Sequence, residues 1–419
     1  MRRPPADAAA IPDVRIFQLT LLIAALVCAS SGDLCAQTLP AGPIRAFDGR
    51  VTISGEIVGT LGSADDDAFF NYTDYEHNAL RLIRLALAAA WRPAERIALV
   101  AEIRSEDFDQ LKAFGAYVRV RPFKSVPLDV QAGRIPPTFG AFGRRAYSTD
   151  QLLIGYPLAY QYLTSLRPDA IPATADDLLI MRGRGWRPSF PIGSFDDEPG
   201  VPLVTSFRWD TGVQAHWAAG AIELTGAVTN GTLSDPRFND NNGGKQFSGR
   251  AVARPVVGLV LGASAARGSF LAEDVTRLLP EPASQKTYSQ QAFGFDAEYS
   301  RDYWIVRGEI VRSRWSLPLL SPASTLDVSA LGMWVEGRYR LTPRIFAAAR
   351  VDHLGFSRIT GMIWSSPTEW DAPVDRIEWG GGYYFQRNLV ARAVVQHNRR
   401  DGGRVHERTF VSGQLSYWF

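Results

Sequence analysis

The chain has 419 residues, 46% of them apolar and 21% charged, with a net charge of +2. A balance so near neutral lacks the basic surplus that nucleic acid requires, and no nucleic-acid partner is expected. A helical membrane protein of this length would need several apolar runs of roughly 20 residues, and only one run approaches that length.

The mean hydropathy of −0.09 still suits a β-barrel, in which only alternate strand residues meet lipid. Aromatic residues make up 11% of the chain, with 11 Trp, and many fall near predicted strand ends, as an interfacial girdle requires. The basic residues are nearly all arginine, since the lysines are Lys112, Lys124, Lys245 and Lys286 alone.

The long apolar run lies at the N-terminus. Arg2, Arg3 and Arg15 precede Ile16–Ser30 (IFQLTLLIAALVCAS), and the stretch SGDLCAQ follows. Positive, apolar and short polar regions in that order read as a signal peptide over residues 1–36, cleaved after Ala36 or nearer Ser31. The run is short for an uncleaved anchor. Neither Cys28 nor Cys35 stands behind a lipoprotein cleavage sequence. Cleavage at Ala36 would leave 37–419 without cysteine, so no disulfide or cysteine metal site is expected.

Beyond residue 45 the pattern has period two. Val51–Leu61 places Val51, Ile53, Gly55, Ile57 and Leu61 on one face and Thr52, Ser54, Glu56 and Thr60 on the other. A strand with one face in lipid needs this arrangement. Strands are predicted next over Asn78–Trp91, Arg96–Glu106 and Leu128–Arg134. Hairpins follow: Asp210–Ala218 with Ala221–Thr229, Gln246–Arg254 with Gly258–Arg267, and Gln290–Tyr299 with Tyr303–Arg312. Then come Ser329–Arg340 with Ile345–His353, Asp375–Phe385 with Leu389–Asn398, and a last strand Glu407–Phe419. Turns of about two to five residues alternate with longer polar loops at Asn230–Gly244, Gly268–Ser289, Trp315–Asp327 and Gly355–Val374. The asymmetry predicts an all-β, transmembrane antiparallel barrel of about 16 strands, with short periplasmic turns and long extracellular loops.

One connection is far longer. Ile135–Pro202 separates Leu128–Arg134 from the next clear strand near Leu203, too long a stretch to stay structureless. It is the third long loop, and a resemblance to the inserted loop of porins implies that it folds into the lumen. A separate extracellular cap or an extra hairpin is the alternative. It carries Arg144, Arg145, Arg167, Arg182, Arg184 and Arg187 against Asp150, Asp169, Asp176, Asp177, Asp196, Asp197 and Glu198. The constriction candidates are those six arginines with Asp176 and Asp177, and Met181–Trp186 (MRGRGW) leads them. Guanidinium groups on a glycine-flexed backbone can grip carboxylate or phosphate bidentately. The bland reading is a solvated loop whose Tyr147, Tyr156, Tyr160, Tyr162 and Trp186 pack it on the wall.

Alternation also names a lumen. Arg84, Arg104, Arg119, Arg121, Arg250, Arg254, Arg307, Arg338, Arg340, Arg350 and Arg392 fall on inward positions. So do Glu56, Glu102, Glu223, Asp296, Glu298, Glu309, Glu336, Asp352 and Glu378. Lipid would penalise such charges by roughly 2–4 kcal/mol at mid-depth, which assigns them to the inside. Near-balanced signs predict a hydrated, salt-bridged wall, with many pairs serving only to brace it. Catalysis finds little support. Asp352 and His353 are adjacent strand residues pointing to opposite faces, and the other histidines lack metal-ligand spacing. No metal or cofactor is expected.

At the end of the chain Thr409, Val411, Gly413, Leu415, Tyr417 and Phe419 alternate with Phe410, Ser412, Gln414, Ser416 and Trp418. This resembles the C-terminal signature of outer-membrane proteins, which implies that Leu415, Tyr417 and Phe419 are read by the barrel-assembly machinery. Three further stretches carry a resemblance to the sixteen-stranded porins, including the phosphate-selective porin-like group. They are Gln131–Phe142 (QAGRIPPTFGAF), Val228–Gly231 (VTNG), and Gly249–Pro255 (GRAVARP) running on to Gly258–Gly268 (GLVLGASAARG). The phosphate-selective members have lysine-rich lumens, and four lysines depart from that pattern, so phosphate selectivity is not implied.

The expectation is an outer-membrane porin that passes small hydrophilic solutes or ions passively. Its partners would be outer-membrane lipid and lipopolysaccharide, and a homotrimer is suggested by the porin resemblance without any interface in the sequence. The alternatives are a plugged structural or adhesive barrel and, behind it, an outer-membrane hydrolase.

Overall fold

The structure is a computed structural model that describes residues 40, 42–73, 77–185, 187–196, 198–279 and 288–419. The expected signal peptide, with Trp186 and Asp197, lies outside the described residues.

Among the described residues seventeen strands share one sheet, and all but the three-residue strand Ile44–Ala46 form a closed ring. In chain order the ring comprises β1 (Val51–Gly62), β2 (Ile83–Ala94), β3 (Ile97–Glu106), β4 (Lys112–Val120) and β5 (Leu128–Ile135). Next are β6 (Asp210–Ala219), β7 (Ile222–Thr229), β8 (Gln246–Val256), β9 (Leu259–Ser269), β10 (Ser289–Arg301) and β11 (Trp304–Leu320). The last are β12 (Ala323–Arg340), β13 (Ile345–Phe356), β14 (Val374–Gln386), β15 (Leu389–Arg400) and β16 (Glu407–Trp418). Every neighbour is antiparallel. β16 closes the ring on β1 through Tyr417 opposite Ile57 and Leu415 opposite Gly59. Gly55 and Phe419 exchange backbone hydrogen bonds at 3.1 and 3.0 Å. A β-carbon on Gly55 would come within 3.1 Å of the Phe419 ring, so a residue without one lets the terminal ring lie on the wall.

Burial is inverted relative to a soluble sheet. On β12 the outward residues Leu331, Met333 and Val335 are exposed, while the inward Trp334 and Glu336 are buried. The outward apolar run on β11 extends from Trp304 through Val306 to Ile310, and Arg312 and Arg314 follow it. That switch marks one edge of an apolar band, for which about 25 Å is usual. Tyr299, Tyr303, Trp304, Tyr339, Tyr383 and Phe385 cluster at the other edge. There the strands are joined by tight turns.

Several predicted boundaries need correction. β2 begins at Ile83 and not Asn78, because Asn78 bridges Tyr72 within the connection 63–82. Trp315–Asp327 is not a loop: β11 and β12 run through it and turn at Ser321 and Pro322. Its polar residues Ser316 and Asp327, with the preceding Arg314, face outward beyond the apolar band, while Trp315 and Leu317, with the following Val328, remain buried inside. Polarity there reflects water on the outer face and not a loop. The strand expected near Leu203 begins at Asp210, so the long connection covers 136–209.

Candidate functional site

The connection 136–209 lies inside the ring. It contains a 3-10 turn at Phe142–Arg145, helical turns at Leu158–Gln161 and Ala175–Ile180, and a ribbon pairing Ala170–Ile171 with Ile192–Gly193. Phe139, Phe142, Leu153, Tyr156, Leu158, Tyr160 and Tyr162 are buried and pack with the inward wall residues Val311, Trp334, Phe346, Leu354 and Val394. Phe142 stacks edge-on against both Tyr156 and Trp334.

The polar wall residues hold the segment by its backbone. Glu56 accepts the Ser148 N–H at 3.1 Å and its hydroxyl at 2.8 Å. Glu378 accepts the N–H groups of Ile154 and Gly155 at 3.1 and 2.9 Å. Asp352 accepts from Leu158 N–H at 3.3 Å, and Glu309 from Ala141 N–H at 3.0 Å and the Tyr160 hydroxyl at 2.8 Å. The guanidinium groups serve the carbonyls. Arg307 donates to Asp150 O at 2.8 Å, Arg350 to Gly155 O at 2.8 Å, and Arg392 to Ser148 O and Gln151 O at 2.7 and 3.1 Å. Segment backbone that has left water is thereby satisfied, which non-regular chain inside a barrel requires.

These wall groups also pair among themselves. Arg350 lies 3.4 Å from Glu336, 2.6 Å from Glu378 and 3.0 Å from Asp352, and Arg307 also pairs with Glu336. Arg84 bonds Glu106, Arg250 bonds Asp296, and Glu102 accepts the Tyr147 hydroxyl. Arg145 pairs with Glu298 and Arg254 with Glu223. Arg119 and Arg338 are half-buried, and the Arg338 guanidinium sits 5.8 Å from the Phe346 ring.

The constriction candidates are not gathered in one place. Arg144 is exposed within the ring, with its Nε donating to Pro137 O. Arg167 is buried, paired with Asp169 and donating to Pro188 O and Asp196 O. Arg182 reaches Asp401 O, and Gly183 N–H donates to Asp371, which ties this stretch to the connections 357–373 and 401–406. Arg184 and Arg187 are exposed. Asp177 caps its own helical turn with Thr174. Asp176 accepts the N–H groups of Met362, Ile363 and Trp364. The bond from Trp364 and its two neighbours hold the Asp176 carboxyl below the ordinary range.

Other residues of the interior were not among the candidates. Arg376 is buried and donates to Asn398, Tyr156 O and Phe70 O. Its position two residues before Glu378 was a readable signal. Asp371 and Asp65 sit in connections without periodicity, where no pattern points to them. Asp371 accepts from Ser165 and Gly183, and burial raises its pKa against those bonds. Burial likewise pushes Asp65 up to about 7, opposed by the Asn71 N–H and the Arg376 charge. Asp352 faces inward while His353 faces outward, 2.6 Å from Asp375. The two therefore cannot act as one catalytic pair.

Space remains along β6–β8. A vestibule of about 510 Å³ is lined by Asp169, Glu198, Arg208, Asp235, Arg237 and Asp274 among others. Below it a cleft of about 30 Å³ runs between Pro136–Thr138 and the wall residues Thr229, Gln246 and Ser248. Arg208 and Pro236 border both spaces.

A closed sixteen-strand antiparallel ring with an apolar exterior, a charged interior and an inserted connection defines a barrel of porin-like fold. Among solved structures, it is similar to the anion-selective porin from Comamonas acidovorans, with a TM-score of 0.55 and 8% identity over 88% of this chain and 99% of that one. It is similar also to Salmonella typhi OmpF in complex with daunomycin, with a TM-score of 0.54 and 10% identity over 88% and 97%. The trimer form of in-vitro folded OmpT of Vibrio cholerae gives a TM-score of 0.50 and 9% identity over 88% and 99%. No family model and no curated protein sequence matches the chain.

Proposed function

We propose that this barrel is an outer-membrane diffusion channel for small hydrophilic solutes or ions, in which 136–209 leaves a narrow passage beside β6–β8. The observation that carries the reading is a charged vestibule and a small cleft that share Arg208 and Pro236 in their linings. Beyond the cleft, Arg144, Arg250, Glu223 and Arg254 supply further charge toward the turn end. Solutes would be filtered by size and by this mixed-sign lining. The tight turns would face the periplasm and the longer connections the exterior, with residues 1–36 removed on export. Leu415, Tyr417 and Phe419 would be read during assembly, and the trimeric relative favours a homotrimer. No covalent step or cofactor is called for.

Reconstitution in a planar bilayer tests the reading. Small ohmic steps are expected, rising when 142–200 is replaced by a short glycine-serine linker. Correctly folded protein that conducts nothing would favour the second reading, a plugged structural barrel. The backbone bonds to Glu56, Glu309 and Glu378 support that reading.

A further inference from the structure

The outer face of β6–β10 holds a groove of about 670 Å³. Its floor is one row of small residues running across the strands: Ala215 opposite Gly226, Gly226 opposite Gly249, and Gly249 opposite Ala265. A β-carbon on Gly226 would meet nothing within 4 Å, so the floor is open and not filled by neighbours. Phe247 and Phe293 stand beside it, each 64% exposed. Such a trough on an apolar wall has the chemistry to take an acyl chain.

The rim of the groove toward the longer connections is basic. Phe247 lies opposite Arg267, Arg267 opposite Gln291, and Phe293 opposite Arg312. Strand spacing and rise place Arg267 and Arg312 roughly 12 Å apart, with Gln291 and Phe293 between them. Both are exposed on the outer face, and neither has a hydrogen bond or ion pair among the described residues. The same edge is built differently elsewhere. Arg314 pairs with Asp327, His353 with Asp375, and His397 with Glu407. Two unpaired guanidinium groups at the edge of an apolar band call for anions supplied by the membrane.

We infer that this groove binds the phosphorylated glycolipid of the outer leaflet, the lipid A portion of lipopolysaccharide. An acyl chain lies over Gly226 and Gly249, and phosphate is held by Arg267 and Arg312. The choice of that lipid rests on the orientation proposed above. The site itself does not depend on whether the barrel conducts.

Native mass spectrometry of the full protein, extracted from the outer membrane in mild detergent, tests the site. The protein should retain one phosphorylated glycolipid, and the double variant R267Q/R312Q should lose it roughly tenfold. Gly226→Leu fills the trough without touching the arginines and should also lower retention. Arg399→Gln, at the same edge away from the groove, should not. The heat-dependent gel shift of each variant checks that the barrel has folded. Equal retention by R267Q/R312Q would overturn the inference. So would equal rebinding of dephosphorylated lipid A, preferential retention of phosphatidylglycerol, or a second copy cross-linked through Val228→Cys in place of lipid.

Discussion

The wall residue Glu378 and the inserted residue Gly155 fit one another on two counts. Glu378 Oε1 accepts the Gly155 N–H at 2.9 Å, while a β-carbon on Gly155 would lie 2.5 Å from Glu378 Oε2. Arg350 completes the contact by bonding both the Glu378 carboxylate and the Gly155 carbonyl. The segment is held here by a bond and a steric limit together.

Gly155→Ala should therefore push the segment off the wall. An overpacked contact of this kind costs about 1–3 kcal/mol. The expected result is faster cleavage of 136–209 by added protease, with larger or noisier conductance steps. Unchanged protease resistance would mean that the contact does not hold the segment.

Arg350 is 2% exposed and neutralises carboxylates from Glu336, Asp352 and Glu378. Arg350→Met leaves those charges buried and uncompensated, which typically costs about 3–5 kcal/mol. The urea midpoint of the folded barrel in detergent should fall accordingly. Adding Glu378→Gln in the same chain should recover part of the loss, as a double-mutant cycle would read.

Asp65 gives a pH dependence. Folded, it keeps its proton up to about pH 7, whereas its ordinary pKa is 3.8. Between those values the unfolded state binds fewer protons, so this group makes stability fall as pH rises. Connection 63–82 should become more protease-sensitive from pH 5 to pH 8. Asp65→Asn should match the unaltered protein at pH 5 and exceed it at pH 8; equal behaviour at both values would refute the assignment.

Arg144 lies exposed within the ring near Arg250 and Glu223. Arg144→Glu moves the lumen by two charges toward negative, and reversal potentials in a salt gradient should shift toward cation preference. No shift would remove Arg144 from the conduction path.

The strand pattern was legible because a barrel wall separates two media. Ile57, Val335 and Val351 had to alternate with Glu56, Glu336 and Arg350, and period two exposes that requirement directly. Even Arg376 obeys it. Alternation misleads where a second contact, and not a medium, decides the structure. Trp315–Asp327 looked like a loop because its outer residues are wet, although its inner ones are buried against Phe270 and Trp370.

Alternation along each strand, and the contrast of short turns with long connections, already carry the barrel, the polarity of each face and the last strand from Glu407, because both are written in local stretches of chain. What the inward charges do depends on contacts made across the ring. Glu56, Glu309, Arg350 and Arg392 meet the backbone of 140–160 across 92 to 244 residues of chain. Partners so distant leave no periodic trace, because any carboxylate at the right height can receive a peptide N–H. The same holds outside, where three strands must align before Arg267 and Arg312 border one groove.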